Sequence, residues 1–177
     1  STRAGDQTPV TYENINHEKL AQRNMGQDLP ELVALSPSVV TTSDAGNGVG
    51  YSAMRIRGTD MTRINVTVNG IPLNDPESHE VYWVDLPDVA ASAENLQIQR
   101  GVGTSTNGAS AFGASLNLQT SGLRADPYAG VSSAYGSFNT LKNSASFGTG
   151  LLQKCFTFDG RFSKIHSDGY IDRASTD

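Results

Sequence analysis

Asp75, Glu77, His79 and Glu80 crowd into one short run. Carboxylates beside an imidazole are the side chains that hold divalent metals or move protons. Metal motifs space their ligands by a strand, a helix turn or a fixed loop. This run has no such spacing, and a solvated acidic loop is the simpler reading. Ser105, Ser110 and Ser115 lie among glycines, but none sits in the Gly-x-Ser-x-Gly elbow that exposes a nucleophile. Gly101-Val102-Gly103 begins like a phosphate loop. The third glycine of that motif is missing, and a Gly-, Ser- and Thr-rich loop follows where a helix is required. Cys155 is the lone cysteine, so there is neither an internal disulfide nor a cysteine zinc site. No catalytic residue, metal ligand or cofactor is assigned, and the chain reads as a non-enzyme.

The elements that would carry these residues are strands and turns more than long helices. The 177 residues include 18 glycines against 7 prolines, with 37% hydrophobic and 7% aromatic content, a balance that favours strands and turns. Net charge is −5, with acids and bases interspersed, so the basic footprint of a nucleic-acid binder is missing. No apolar run approaches the roughly 20 residues of a membrane helix. Ser1 opens a polar stretch rather than a signal peptide, so an exported protein would be represented here by a processed or trimmed piece.

The pattern changes near Leu123 to Pro127. Before it, Val10 to Ile15 reads as a strand and His17 to Arg23 as a short helix. Asp28-Leu29-Pro30-Glu31 reads as a helix start with a capping box, with Leu29, Leu32, Val33 and Leu35 on its apolar face. Val39 to Thr42 is a strand, and a Gly-rich loop, Ser43 to Ser52, follows. Ala53 to Arg57 alternates. Asn69-Gly70 between apolar runs marks a tight hairpin. Asp85 to Ala93 is expected to be a short helix. Leu96 to Arg100 is a strand with one buried face, and Ala114 to Thr120 a further strand.

After Pro127, three segments alternate with period two: Tyr128 to Phe138, Leu141 to Leu151, and Cys155 to Ile165. In the last, Phe156, Phe158 and Phe162 share one face, while Thr157, Asp159, Arg161 and Ser163 share the other. Strands of this length with small polar residues on one face suit a membrane barrel, which needs about 9–11 residues per crossing. A soluble antiparallel sheet with one wet face would alternate in the same way.

Several blocks, in order, resemble the TonB-dependent receptor plug. Arg55-Ile56-Arg57-Gly58 is similar to the family's Ile-Arg-Gly strand. Val68-Asn69-Gly70-Ile71-Pro72-Leu73 resembles its Asp-Gly-Val-Pro hairpin, with Asn69 in place of Asp. Asn95 to Gly101, continuing through Asn107-Gly108, Ala111-Phe112-Gly113 and Ser115 to Thr120, resembles its Glu-Val-Leu-Arg-Gly to Gly-Val-Ile-Asn-Ile run. Asp28 to Val39 resembles its Pro-Gly-Val helix end, with Ser38 in place of Gly.

The resemblance implies an α+β plug over residues 1–122, with a mixed central sheet and short helices. Residues 123–177 would be the first three antiparallel strands of a truncated barrel of about 22 strands. The implied setting is the outer membrane of a Gram-negative bacterium, with the plug inside the lumen. The implied role is gate and part of the substrate site of a transporter for a ferric siderophore, cobalamin or similar chelate. A receptor for glycan fragments is the first alternative, and a soluble ligand-binding or adhesin domain the second. The implied partners are TonB, through a segment ahead of Ser1, the receptor's own barrel, and a chelate or oligosaccharide. By family position, the loops Ser43 to Ser52 and Ile71 to Trp83 face the substrate, nominating Asn47, Tyr51, Asn74, Asp75, Glu77, His79, Tyr82 and Trp83. Packing beneath the loop is the competing reading for Tyr82 and Trp83. Arg57 and Arg100 are implied to meet barrel glutamates beyond Asp177.

Overall fold

A computed structural model describes residues 3–102, 110–120, 122–153 and 155–176. Gly103, Ser105 and the Asn107-Gly108 pair lie outside them. Strand β1 (Thr11–Asn16) runs into helix α1 (His17–Arg23), where the Asn16 side chain accepts from the Lys19 amide at 3.1 Å. Such a cap satisfies one of the first-turn donors that a helix leaves unpaired. Helix α2 (Leu29–Leu32) is a single turn. Strands β2 (Val39–Ser43) and β3 (Ser52–Ile56) form a separate antiparallel ribbon.

The main sheet holds β4 (Ile64–Val68), β5 (Ile71–Pro72), β6 (Ala93–Arg100) and β7 (Ala114–Thr120), with β1 on one edge, in the order β1-β6-β7-β4-β5. The sheet is mixed: β4 and β7 are parallel, and the other neighbours antiparallel. Asn69 and Gly70 turn β4 into β5 with φ of 51° and 85°, the two positive angles a type I′ turn demands.

Both faces of this sheet are buried, where the sequence pattern of Leu96 to Arg100 suggested one. Ile64, Val66, Leu96, Ile98, Leu116 and Leu118 look into the core with Leu20, Leu29 and Val33. The opposite face is polar yet equally covered: Asn65, Thr67, Gln97, Gln99, Ser115 and Asn117. Alternation reports polarity, and polar side chains that bond one another can be buried too. Here the chain's own beginning lies across them. The Gln97 amide binds both the Ala4 N–H (2.7 Å) and its carbonyl (2.9 Å), and Arg3 reaches the side chains of Asn14 and Asn95.

Three other expectations change. Asp28 stands at the N-cap of α2, but its side chain makes no cap bond. Its carboxylate accepts from Ser52 Oγ at 2.7 Å instead, tying α2 to β3. Leu35 lies past the helix, 77% exposed. The expected helix from Asp85 to Ala93 is two 3₁₀ turns, Trp83–Asp85 and Val89–Ser92. Pro87 disfavours helical geometry in the residue before it, and Asp88 takes φ 52°, which breaks the run.

Strands β8 (Tyr128–Tyr135), β9 (Leu141–Gly148) and β10 (Asp159–His166) form a three-stranded antiparallel sheet. β10 begins at Asp159 rather than at Cys155. Val131 and Phe162 are exposed on one face of the sheet, and Phe156 and Phe158 are exposed in the segment ahead of β10, while Lys142, Arg161 and Ser163 reach back to the first unit. Among the described residues no helix is long and apolar enough to cross a membrane. Amphipathic strands are the part of this architecture suited to a bilayer.

Candidate functional site

The loop that leaves β5 is built by its own polar groups. Asn74 spends its amide on backbone: Oδ1 accepts from the Val66 N–H at 2.8 Å, and Nδ2 donates to the carbonyls of Ile64 and His79, each at 2.9 Å. Asp75 Oδ1 accepts from the amides of Glu77 (2.9 Å) and Ser78 (2.7 Å). Those donors hold its carboxyl below the usual aspartate range. His79 sits at φ 60°. Trp83 is only 2% exposed and packs beside Met54, Met61, Ile64, Val66 and Val81. Of the nominated residues here, Glu77, His79 and Tyr82 are exposed to solvent. Asn74 and Asp75 shape the turn, and Trp83 packs beneath it.

The loop between β2 and β3 is held differently. Asn47 Nδ2 donates to Ser167 Oγ at 2.9 Å, and its Oδ1 accepts from the Val49 amide. The Tyr170 N–H donates to the Ala45 carbonyl. A Cβ on Gly46 would lie 3.1 Å from the Tyr170 side chain, so the absence of a side chain there lets that ring settle. Tyr51 stands 66% exposed. This loop therefore docks on the segment after β10, and among the described residues no hydrogen bond joins it to the Ile71–Trp83 loop. Beneath it Asp28 is buried. Burial drives its carboxyl above the ordinary range, and bonds from Ser52 and Gly50 only partly offset that.

Arg100 is 8% exposed and pairs with Glu13 of β1 at 2.5 Å. The partner sought for it beyond Asp177 has a counterpart inside the chain. Strand β1 pairs antiparallel with β6, which puts Glu13 within reach, and a sequence reading without that pairing could not see it. Arg57 is exposed at φ 52°, with its guanidinium alongside Gly101.

One cluster was missed in the sequence. Asp88, 2% exposed, accepts from Lys142 Nζ (2.6 Å), Arg161 (2.6 Å), Ser163 Oγ (2.7 Å) and Asn24 Nδ2 (2.9 Å). Burial pushes its carboxyl up, but the bonds from Lys142, Ser163 and Asn24 outweigh that and leave it below the ordinary range. Beside the cluster lies an open, mostly polar cavity of about 530 Å³ between α1 and the inner face of β8–β10. The available signal was Lys142 and Arg161 on the polar side of otherwise alternating strands, since an inward cation needs an acid to meet it. Among the described residues no group of three His, Cys, Asp or Glu side chains is arranged to hold a metal ion.

A small α+β unit with a mixed sheet, bound through its charged side to amphipathic antiparallel strands, defines a plug against a piece of barrel wall. The chain belongs to the TonB-dependent Receptor Plug Domain family, whose profile matches residues 5–115. Solved structures share the fold. The siderophore receptor PirA from Acinetobacter baumannii is 20% identical, with a TM-score of 0.65 over 89% of this chain and 24% of that one. The pyoverdine outer membrane receptor FpvA from Pseudomonas aeruginosa PAO1 is 13% identical, with a TM-score of 0.71 over 90% and 22%. The copper transporter OprC is 15% identical, with a TM-score of 0.70 over 93% and 25%. The chain thus spans about a quarter of the length of the receptors it matches. No curated protein sequence matches it. The family places the chain in the outer membrane of a Gram-negative bacterium, as a transport module and not an enzyme.

Proposed function

We propose that this chain is the gate of a TonB-dependent outer-membrane transporter that takes up a ferric siderophore or a similar chelate. Residues 1–122 would be the plug, and 123–177 the first three strands of its barrel. The observation that carries this reading is the junction itself. A plug-family unit is joined to three strands whose polar side meets the plug and whose phenylalanine side faces outward. A lumen filled by a plug and a wall facing lipid require that division. TonB, acting through a segment ahead of this chain, would supply the work. Similarity to receptors described as binding siderophores and pyoverdine supports the chelate, and the copper transporter keeps the class wide.

The plug's share of the substrate site would be Glu77, His79 and Tyr82, with Tyr51 and Asn47 of the β2–β3 loop. Asn74, Asp75 and Trp83 support it from below. Growth of a strain lacking the parent gene, on single ferric siderophores, cobalamin, copper or glycan fragments, tests the reading. Loss of growth on one chelate supports it. A defect confined to glycans would transfer the assignment to glycan uptake, which the exposed rings of Tyr51 and Tyr82 also suit.

A further inference from the structure

Asp88 is a buried carboxylate on the plug that holds two cations from adjacent strands of the wall, Lys142 on β9 and Arg161 on β10. Ser163 and Asn24 donate to the same carboxylate, and Lys142 Nζ also donates to Asn24 Oδ1 at 3.0 Å. Arg161 is held on three sides: by the Asp88 carboxylate, by the Asp88 carbonyl (3.1 Å), and by Ser92 Oγ (3.0 Å). That carbonyl is aimed at Arg161 because Asp88 adopts φ 52°, a conformation that costs a non-glycine residue free energy and persists only where its surroundings enforce it.

The charges do not balance within the cluster. One acid serves two cations, so both Lys142 and Arg161 depend on Asp88 for compensation. Truncating the shared acid leaves a buried and a partly buried cation without a counterion, whereas truncating one cation leaves a simple pair. Other described contacts across the seam are lighter. Arg124 and Glu94 are 3.8 Å apart and substantially exposed, Asn47 bonds Ser167, and Ile165 packs on Gly26. Beside the cluster, the wall presents small groups, Ser132, Ser144 and Ser146, which leave room for the 530 Å³ cavity. A polar space of that size takes on the order of 15 to 20 waters.

We propose that Asp88 is the latch that seats the plug on the wall formed by β8–β10, and that the cavity beside it is a hydrated slit the latch keeps from widening. Charge-assisted bonds to a carboxylate only 2% exposed hold because solvent does not compete at it, and they weaken once displacement lets water in. A latch made this way stays shut under small fluctuations and releases as a unit when the plug is displaced. Asp88 is thus a positioning residue, coupling plug to wall without touching the substrate. The inference rests on the chain being a plug against its barrel wall, not on which chelate is carried, so growth assays and the assay below can fail separately.

The test uses the full-length receptor in proteoliposomes, with swelling by a small neutral sugar and hydrogen exchange of residues 141–148 and 159–166 as readouts. Asp88→Asn keeps the shape and removes the charge. It is expected to raise sugar entry several-fold and to speed exchange in both strands by at least about tenfold. Lys142→Met alone leaves the Asp88–Arg161 pair and is expected to change little. Adding Lys142→Met to Asp88→Asn removes one uncompensated charge and is expected to recover part of the loss. Lys142→Met with Arg161→Met alters no plug residue, and is expected to open the slit even if Asp88→Asn prevents the plug from folding. Unchanged entry and exchange in that wall-side double variant would overturn the latch. So would equal behaviour of Asp88→Asn with and without Lys142→Met.

Discussion

Trp83 offers the sharpest contrast between packing and binding. Its indole is 2% exposed in the core, flanked by Met54, Ile64, Val66 and Val81. Replacing it with Ala removes the transfer free energy of a large ring and leaves a cavity among side chains fixed by two strands, which costs roughly 3–5 kcal/mol. The indole Nε1 is buried with no hydrogen-bond partner among the described residues, so truncation strands no acceptor and the loss is one of packing alone. Trp83→Phe keeps most of the volume and deletes the unsatisfied donor, so it is expected to cost less than about 1.5 kcal/mol. Hydrogen exchange of the detergent-solubilised receptor reads this directly. Amides of β4 and β3 should lose roughly a hundred- to several-thousand-fold protection in Trp83→Ala, less if global unfolding sets the ceiling. In Trp83→Phe they should lose no more than about tenfold. The companion variant His79→Ala with Tyr82→Ala is expected to weaken substrate binding while leaving β4 protection unchanged, because both side chains face solvent. If Trp83→Ala left protection intact but abolished binding, the indole would be a ligand contact and the packing argument would fail.

Asn74→Ala leaves the Val66 amide without its acceptor and is expected to cost about 1–3 kcal/mol, visible as faster exchange at Val66 and looser substrate binding. Glu13→Gln breaks the charge pair with Arg100. Because the Glu13 side chain is 34% exposed, the expected loss is about 1–2 kcal/mol rather than the full value for a buried pair, read as a lower urea midpoint. Asp28 has its carboxyl raised by burial, so the folded state gains relative stability as pH falls through that raised value toward the unfolded one, and loses it as pH rises. Asp28→Asn should flatten the pH dependence of the thermal midpoint in that window without lowering it at pH 7. A midpoint that fell at pH 7 would mean that the charged bonds to Ser52 and Gly50 outweigh burial.

Local chemistry was enough for several features. His17 to Arg23 forms a helix because Asn16 caps it and Leu20 anchors it. The Asn69-Gly70 turn follows from two residues that tolerate positive φ. The alternation after Pro127 is set by a face of small polar groups opposite a face of rings. Family identity was legible in the order of short blocks, since each marks a turn or strand end whose geometry constrains its residues. What required the tertiary structure is everything that depends on which strands become neighbours. The β1–β6 pairing brings Glu13 to Arg100. The folding of residues 3 and 4 over the sheet turns a face that reads as exposed into a buried polar layer. Trp83 resembles a loop residue in sequence and packs in the core because the chain doubles back over Met54 and Ile64. Asp88 lies 54 positions from Lys142 and 73 from Arg161 along the chain. No periodicity or propensity links residues so far apart. Only the docking of the plug on the wall makes one carboxylate the counterion of both, because the free energy of burying those charges is met only when all three meet.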